Sequence, residues 1–178
     1  MNPHCTLAWA LVSLTGCLAA NDAATAPPSS KKDEMQITIE WPKGRSRIEL
    51  PLHYENHLPM VKCRINRRPA VLLLDTGTAI NCVFRTRLEH FGIELLGEAE
   101  TRTHHTAAGS VRMPLCGYEV QLAKDLNVNV SRASVLPSYE GVVADGILGI
   151  AVLKAMNANI DLSSDTIVLT LKSADSHK

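Results

Sequence analysis

Aromatic side chains and net charge are both scarce in this sequence. Phe, Trp and Tyr make up 4% of the 178 residues, and 18 Lys plus Arg are matched by 18 Asp plus Glu, so the formal net charge is zero. A chain with no overall field and few flat rings lacks both the electrostatic footprint and the stacking platforms of a nucleic-acid binder, and nucleic acid is set aside as a partner. No internal repeat occurs, and no apolar run is long enough to span a bilayer. Cysteine is sparse, at five, and the spacing of Cys63, Cys82 and Cys116 is not that of a zinc site. Neither a metal nor an organic cofactor is expected. What is present is an apolar content of 46%, enough for one core of ordinary size, so a single folded domain is expected between two tails.

The leading tail carries its own signal. Leu7 to Leu14 is a short uncharged apolar run that ends in Leu14-Thr15-Gly16-Cys17. Its length fits the hydrophobic region of a removable export signal rather than a membrane span. Leu-Thr-Gly-Cys also resembles a bacterial lipobox, in which the cysteine becomes the lipidated first residue, and this makes Cys17 the candidate anchor. Two features pull the other way: Met1 to Thr6 holds no Lys or Arg, and a plain cleavage near Ala19 or Ala20 is the alternative. The reading is an export signal over 1–16 and a flexible tether over 17–35, since Pro27-Pro28, Ser29-Ser30 and Lys31-Lys32 are too polar and broken to pack. The domain follows over 36–172, with a frayed tail over 173–178. An exported, periplasmic, lipid-anchored protein is the expected localisation. Cys63, Cys82 and Cys116 remain in the domain, as three reduced thiols or as one disulfide with one thiol left over.

From Met35 onward short β-type runs dominate: Gln36 to Trp41, Arg47 to Tyr54, Met60 to Ile65 and Ala70 to Leu74, divided by Pro, Gly and Asn. Asn66-Arg67-Arg68-Pro69 forms the turn between the last two. A brief helix is predicted over Arg85 to Phe91, stopped by Gly92. Val111, Met113 and Leu115 alternate with polar neighbours, as do Tyr118, Val120 and Leu122, and Val128 with Val130. A second short helix is predicted from Ala151 to Asn157, then a hairpin of Ile160 to Leu162 with Ile167 to Leu171. The fold class is mainly β, without strand-helix alternation.

The sharpest chemical feature is Ala70-Val71-Leu72-Leu73-Leu74-Asp75-Thr76-Gly77-Thr78. An unbroken apolar run predicts a strand buried on both faces, and it stops at a carboxylate. A buried carboxylate must be hydrogen-bonded, paired or neutralised. Gly77 allows a backbone conformation closed to other residues, and Thr76 and Thr78 can donate hydroxyl protons to nearby oxygens. A strand-ending Asp that merely caps a turn is the simpler account of the tripeptide by itself. A second element seventy residues on, Asp145-Gly146-Ile147-Leu148-Gly149, followed by a short amphipathic helix and a closing hairpin, shifts that balance.

This ordered arrangement, from about Ile48 to Leu171, resembles the retropepsin-like aspartyl protease family, particularly its bacterial single-domain members. The resemblance implies a retropepsin-like acid protease half-barrel with a flap hairpin and one or two short helices. It makes Asp75 the catalytic acid, with Thr76 reaching across a dimer axis and Gly77 and Thr78 completing the loop, the Thr78 hydroxyl on an outer carboxylate oxygen. Ile147, Leu148 and Gly149 resemble the hydrophobic-hydrophobic-Gly motif that packs beneath that loop. The hairpin between Glu98 and Cys116, with Ala107, Ala108 and Gly109 at its turn, resembles the flap over a bound peptide; an ordinary surface hairpin is the bland reading of the same residues. The Asn-Gly turn that often precedes the active strand is here Asn66-Arg67, a departure that removes no chemical group.

With one Asp-Thr-Gly, the second carboxylate has to come from elsewhere. A homodimer that sets Asp75 against its symmetry mate is the simplest source. Asp145 and Asp161 are the alternatives within the chain, but neither precedes Thr-Gly or Ser-Gly. His104 and His105 are adjacent on a predicted strand and so point to opposite faces, which argues for exposed or substrate-facing flap residues rather than metal ligands. Cys82, seven residues past Asp75, is read as a buried structural thiol in preference to a reactive one. The expected activity is an aspartic endopeptidase acting on protein or peptide substrates. A non-proteolytic exported lipoprotein domain, using the same fold for peptide binding or scaffolding, is the rival.

Overall fold

A computed structural model describes residues 34–98, 100–106, 109–138 and 143–171, with backbone alone at 105 and 106. Cys17, the export signal, nearly all of the tether, Ala107, Ala108 and the tail over 173–178 lie outside the described residues.

Alternation of apolar and polar residues produces the strands. β1 (Gln36–Glu40) lies along β8 (Leu126–Leu136). β2 (Arg47–Glu55), β3 (Leu58–Ile65) and β4 (Arg68–Asp75) form an antiparallel meander. Its two hairpins have two-residue loops, Asn56-His57 and Asn66-Arg67, and all four residues take positive φ, between 45° and 67°. That is the twist-matched turn geometry which Asn accepts readily and which Asn-Gly would satisfy with less strain. Asn66 repays its position: its amide donates to Phe91 O at 3.1 Å and its Oδ1 accepts from Glu119 N–H at 3.0 Å.

After β4 the chain crosses through a loop to β5 (Cys82–Phe84), a strand the periodicity does not signal because three residues are too few to alternate. A 3-10 turn (Arg85–Arg87) and α1 (Leu88–Phe91) follow, ended by Gly92 at φ 61°. β6 (Thr101–Thr106) and β7 (Gly109–Ala123) form a long hairpin, and β7 continues against β8. β9 (Gly146–Gly149) then inserts beside β4, in parallel, and beside β5, antiparallel. α2 (Ile150–Ala155) leads to the β10 (Asn159–Asp161) and β11 (Thr166–Thr170) hairpin, which docks on β2.

The sheet runs β10-β11-β2-β3-β4-β9-β5-β8-β7-β6, and a further pairing of β3 with β7 at Ile65↔Val120 brings it back on itself. Inside that ring lies the main core, with Leu72, Leu74, Phe91, Val120, Val128, Leu148 and Leu153 among its buried members. A smaller apolar cluster of Cys82, Phe84, Met113, Leu136 and Ile147 sits apart, with Leu73 and Ile80 packed against it. The mainly β architecture with two short α-helices accords with the sequence reading.

Candidate active site

Asp75 is the last residue of β4, and the strand's burial explains its setting. Ala70, Leu72 and Leu74 are buried, whereas Val71, Leu73 and Asp75 are only half-buried. Burial on both faces, expected from the unbroken apolar run, is therefore corrected: one face enters the main core and the other meets the smaller cluster. Asp75 stands on the second face, and in the single chain its carboxyl is partly open.

The loop after it is held from three directions. Gly77 N–H donates to Asp75 Oδ1 at 2.8 Å, which fixes the carboxyl plane. Ile150 N–H donates to Thr78 O at 2.9 Å. Gly149 N–H donates to Asn81 Oδ1 at 2.8 Å, where Asn81 is 2% exposed. Gly77 does not sit in the left-handed region, so the freedom that glycine allows is not used there. A Cβ there would lie 3.2 Å from Asp75 Oδ1, and glycine keeps that approach clear.

Thr76 is exposed and Thr78 half-buried. Thr78 Oγ1 accepts from Ile80 N–H at 3.1 Å, so its oxygen turns toward the loop backbone. Beneath the loop, β9 places Gly149 opposite Asp75, Leu148 opposite Leu74 and Ile147 opposite Leu73. A Cβ at Gly149 would overlap the Ile80 carbonyl oxygen and stand 2.9 Å from Thr78 O. Only glycine permits the two segments to approach so closely.

The two alternative acids are occupied elsewhere. Asp145 is buried; its Oδ2 accepts from Val71 N–H at 2.8 Å and its Oδ1 meets Arg87 Nε at 2.5 Å. Val71 is four residues before Asp75, roughly 13 Å along an extended strand, too far for two carboxyls to share a proton. Asp161 is half-buried on the closing hairpin, where the Ser163 and Ser164 hydroxyls and the backbone N–H of Ser163 hold its carboxyl down at about 2. The structure thus brings neither residue to Asp75.

In the flap hairpin Thr106 pairs with Gly109, whose φ is 120°. His104 is half-buried rather than exposed, with Nε2 2.7 Å from the Oγ of buried Ser134. The thiols are free among the described residues, Cys82 and Cys116 buried and Cys63 half-buried. Burial pushes all three up to about 12, so they stay protonated and unreactive at neutral pH. Asn81 and Ser134 were missed by sequence reasoning. Asn81 did leave a trace, a lone amide inside the apolar stretch Ala79-Ile80-Asn81-Cys82-Val83-Phe84; Ser134 left none.

Comparison with known proteins follows the same line. A family model described as aspartyl protease matches residues 61–152, slightly more than half of the chain. No curated protein matches it. Among solved structures, a retropepsin-like aspartic protease from Rickettsia conorii aligns at 14% identity over 76% of this chain and 94% of its own, with a TM-score of 0.46. EIAV protease, complexed with the inhibitor HBY-793, aligns at 18% identity over 62% of this chain and 98% of its own, with a TM-score of 0.48. The retroviral protease-like domain of Ddi1 from Leishmania major gives 20% identity, 66% and 97% coverage, and a TM-score of 0.44.

Proposed function

This chain belongs to the aspartyl protease family, and on that premise we propose that it is an endopeptidase whose catalytic pair is Asp75 from each of two identical chains. The observation that carries this reading is the setting of Asp75. Its carboxyl is fixed by Gly77 N–H on a loop clamped by Gly149 and Ile150, yet it remains partly open, with Thr76 and Gly77 exposed beside it. A rigid, half-open acid flanked by exposed small residues suits a surface that a second copy completes.

Two carboxylates brought within hydrogen-bonding distance cannot both ionise, so the pair holds one proton. The ionised member takes a proton from a water lying between them as the water oxygen bonds to the peptide carbonyl carbon. The protonated member gives its proton to the carbonyl oxygen. In the collapse of the resulting diol the C–N bond breaks: the member now protonated gives its proton to the leaving nitrogen while the other takes one from a diol hydroxyl, which yields the carboxylic acid and restores the one-proton pair. The flap hairpin and the half-buried Leu73 and Ile80, backed by the small apolar cluster, supply walls for an extended peptide.

In a cleavage assay with the full chain in detergent, Asp75→Asn should lower turnover by at least about a thousandfold, as expected when an acid-base pair loses a member. Equal cleavage by both proteins would remove Asp75 from the chemistry. Wild-type activity should be greatest at mildly acidic pH and fade as the shared proton is lost; a rate still climbing into alkaline pH contradicts the pair. Export and lipidation at Cys17 belong to the same reading, and they place the domain outside the cytoplasm on a tether. Cys17→Ala should then move the protein from the membrane fraction to the soluble one, and an unchanged distribution would refute the anchor.

A further inference from the structure

Among the described residues β6 is the edge of the sheet and its ladder partner is β7, so backbone pairing joins it to the other arm of the flap rather than to the barrel. A two-stranded ribbon is marginally stable unless something else holds it. Two side chains among the described residues contribute to this. Met113 on β7 packs into the small cluster with Phe84 and Ile147, and His104 on β6 reaches Ser134 on β8. Ser134 is 1% exposed and lies in register between Leu115 of β7 and Cys82 of β5. Sealed in this way, its hydroxyl cannot meet a substrate carbonyl; it serves as an anchor point, not as a nucleophile.

That anchor is joined to the loop of Asp75. Ser134 N–H donates to Asn81 O at 3.3 Å, while Asn81 Oδ1 accepts from Gly149 N–H, the same residue that lies opposite Asp75. A continuous series of hydrogen bonds therefore runs from the flap arm to the floor of the catalytic loop. We propose that His104 is a positioning residue which, through Ser134 and Asn81, sets where the flap arm rests over the Asp75 loop. Its consequence for peptide capture rests on the protease reading; the tether itself does not.

Amide hydrogen exchange on the full chain tests this. Removing one end of the bond, by Ser134→Ala or His104→Phe, should accelerate exchange in Thr101–Thr106 and in 109–114 about fivefold or more, with β3 and β4 unchanged and the thermal midpoint moved by no more than a few degrees. The double variant should be no faster than either single one, and His104→Gln, which keeps a hydrogen-bonding amide, should recover part of the protection. Flap exchange at the wild-type rate in both single variants would overturn the proposal. Uniform acceleration through every strand would overturn it too, because Ser134 would then only support the core. If Ser134→Ala does not fold, the half-buried His104 variants carry the same comparison. In a cleavage assay His104→Phe should raise KM several-fold with kcat within about twofold. Absence of cleavage by the wild type would count against the protease reading alone, since exchange still decides the tether.

Discussion

Asp75 and the glycines around it show how much one side chain can depend on atoms its neighbours do not have. Gly77 leaves space 3.2 Å from a carboxylate oxygen, whereas Gly149 leaves space between two backbones. These absences differ in consequence, because a carboxyl can shift by a few tenths of an ångström and a clamped carbonyl cannot. Gly149→Ala should therefore destabilise the protein by about 3 kcal/mol, near the upper end of overpacking effects. Gly77→Ala should cost less than about 1 kcal/mol while disturbing the carboxyl. Denaturant unfolding of both variants checks the contrast, and equal stabilities would show that the β4–β9 approach is looser than described.

At the scale of elements, hairpins and caps were legible because their chemistry is local. Gly92 ends α1 where a left-handed residue is needed, and the Asn66-Arg67 loop was visible from its position between two apolar runs. β5 was not legible, and neither was the parallel pairing of β9 with β4, since nothing in Gly146-Ile147-Leu148-Gly149 names its neighbour. The closing hairpin carries a pH prediction. Asp161 Oδ1 accepts from the Ser163 hydroxyl at 2.6 Å and from Ser163 N–H at 2.9 Å, which lowers its titration from 3.8 to about 2. A depressed carboxyl contributes stability above its unfolded value, and loses it as pH falls through the folded value. Between pH 3.8 and about 2 the wild type should thus lose the hairpin's contribution, and Asp161→Asn should show a flatter acid dependence in that window. The two are compared by thermal melts, and parallel acid curves would sink the idea.

For the whole molecule the decisive fact is that the sheet closes through β3 and β7 while leaving Asp75, Thr76 and Gly77 at its surface. A second copy is what the protease reading requires there. Activity per chain should accordingly rise with protein concentration. Thr76→Ala, which removes a hydroxyl from the proposed contact, should weaken self-association about tenfold, the worth of one or two hydrogen bonds. Sedimentation of both proteins measures this; a wild type that stays monomeric at every concentration where it cleaves peptide would refute the dimeric pair.

What the amino-acid order determined unaided is whatever depends on near neighbours: the mainly β pattern, the turn residues, and an acid placed after an apolar strand and before a small loop. Those features follow from side-chain period and backbone preference, which act over a few residues. Tertiary structure alone decided that β4 is buried on one face and half-open on the other, that Asp145 is bound to Val71 and Arg87, and that His104 reaches Ser134. These are contacts between residues 30 to 74 apart in the chain, and only closure of the sheet brings their atoms within hydrogen-bonding reach.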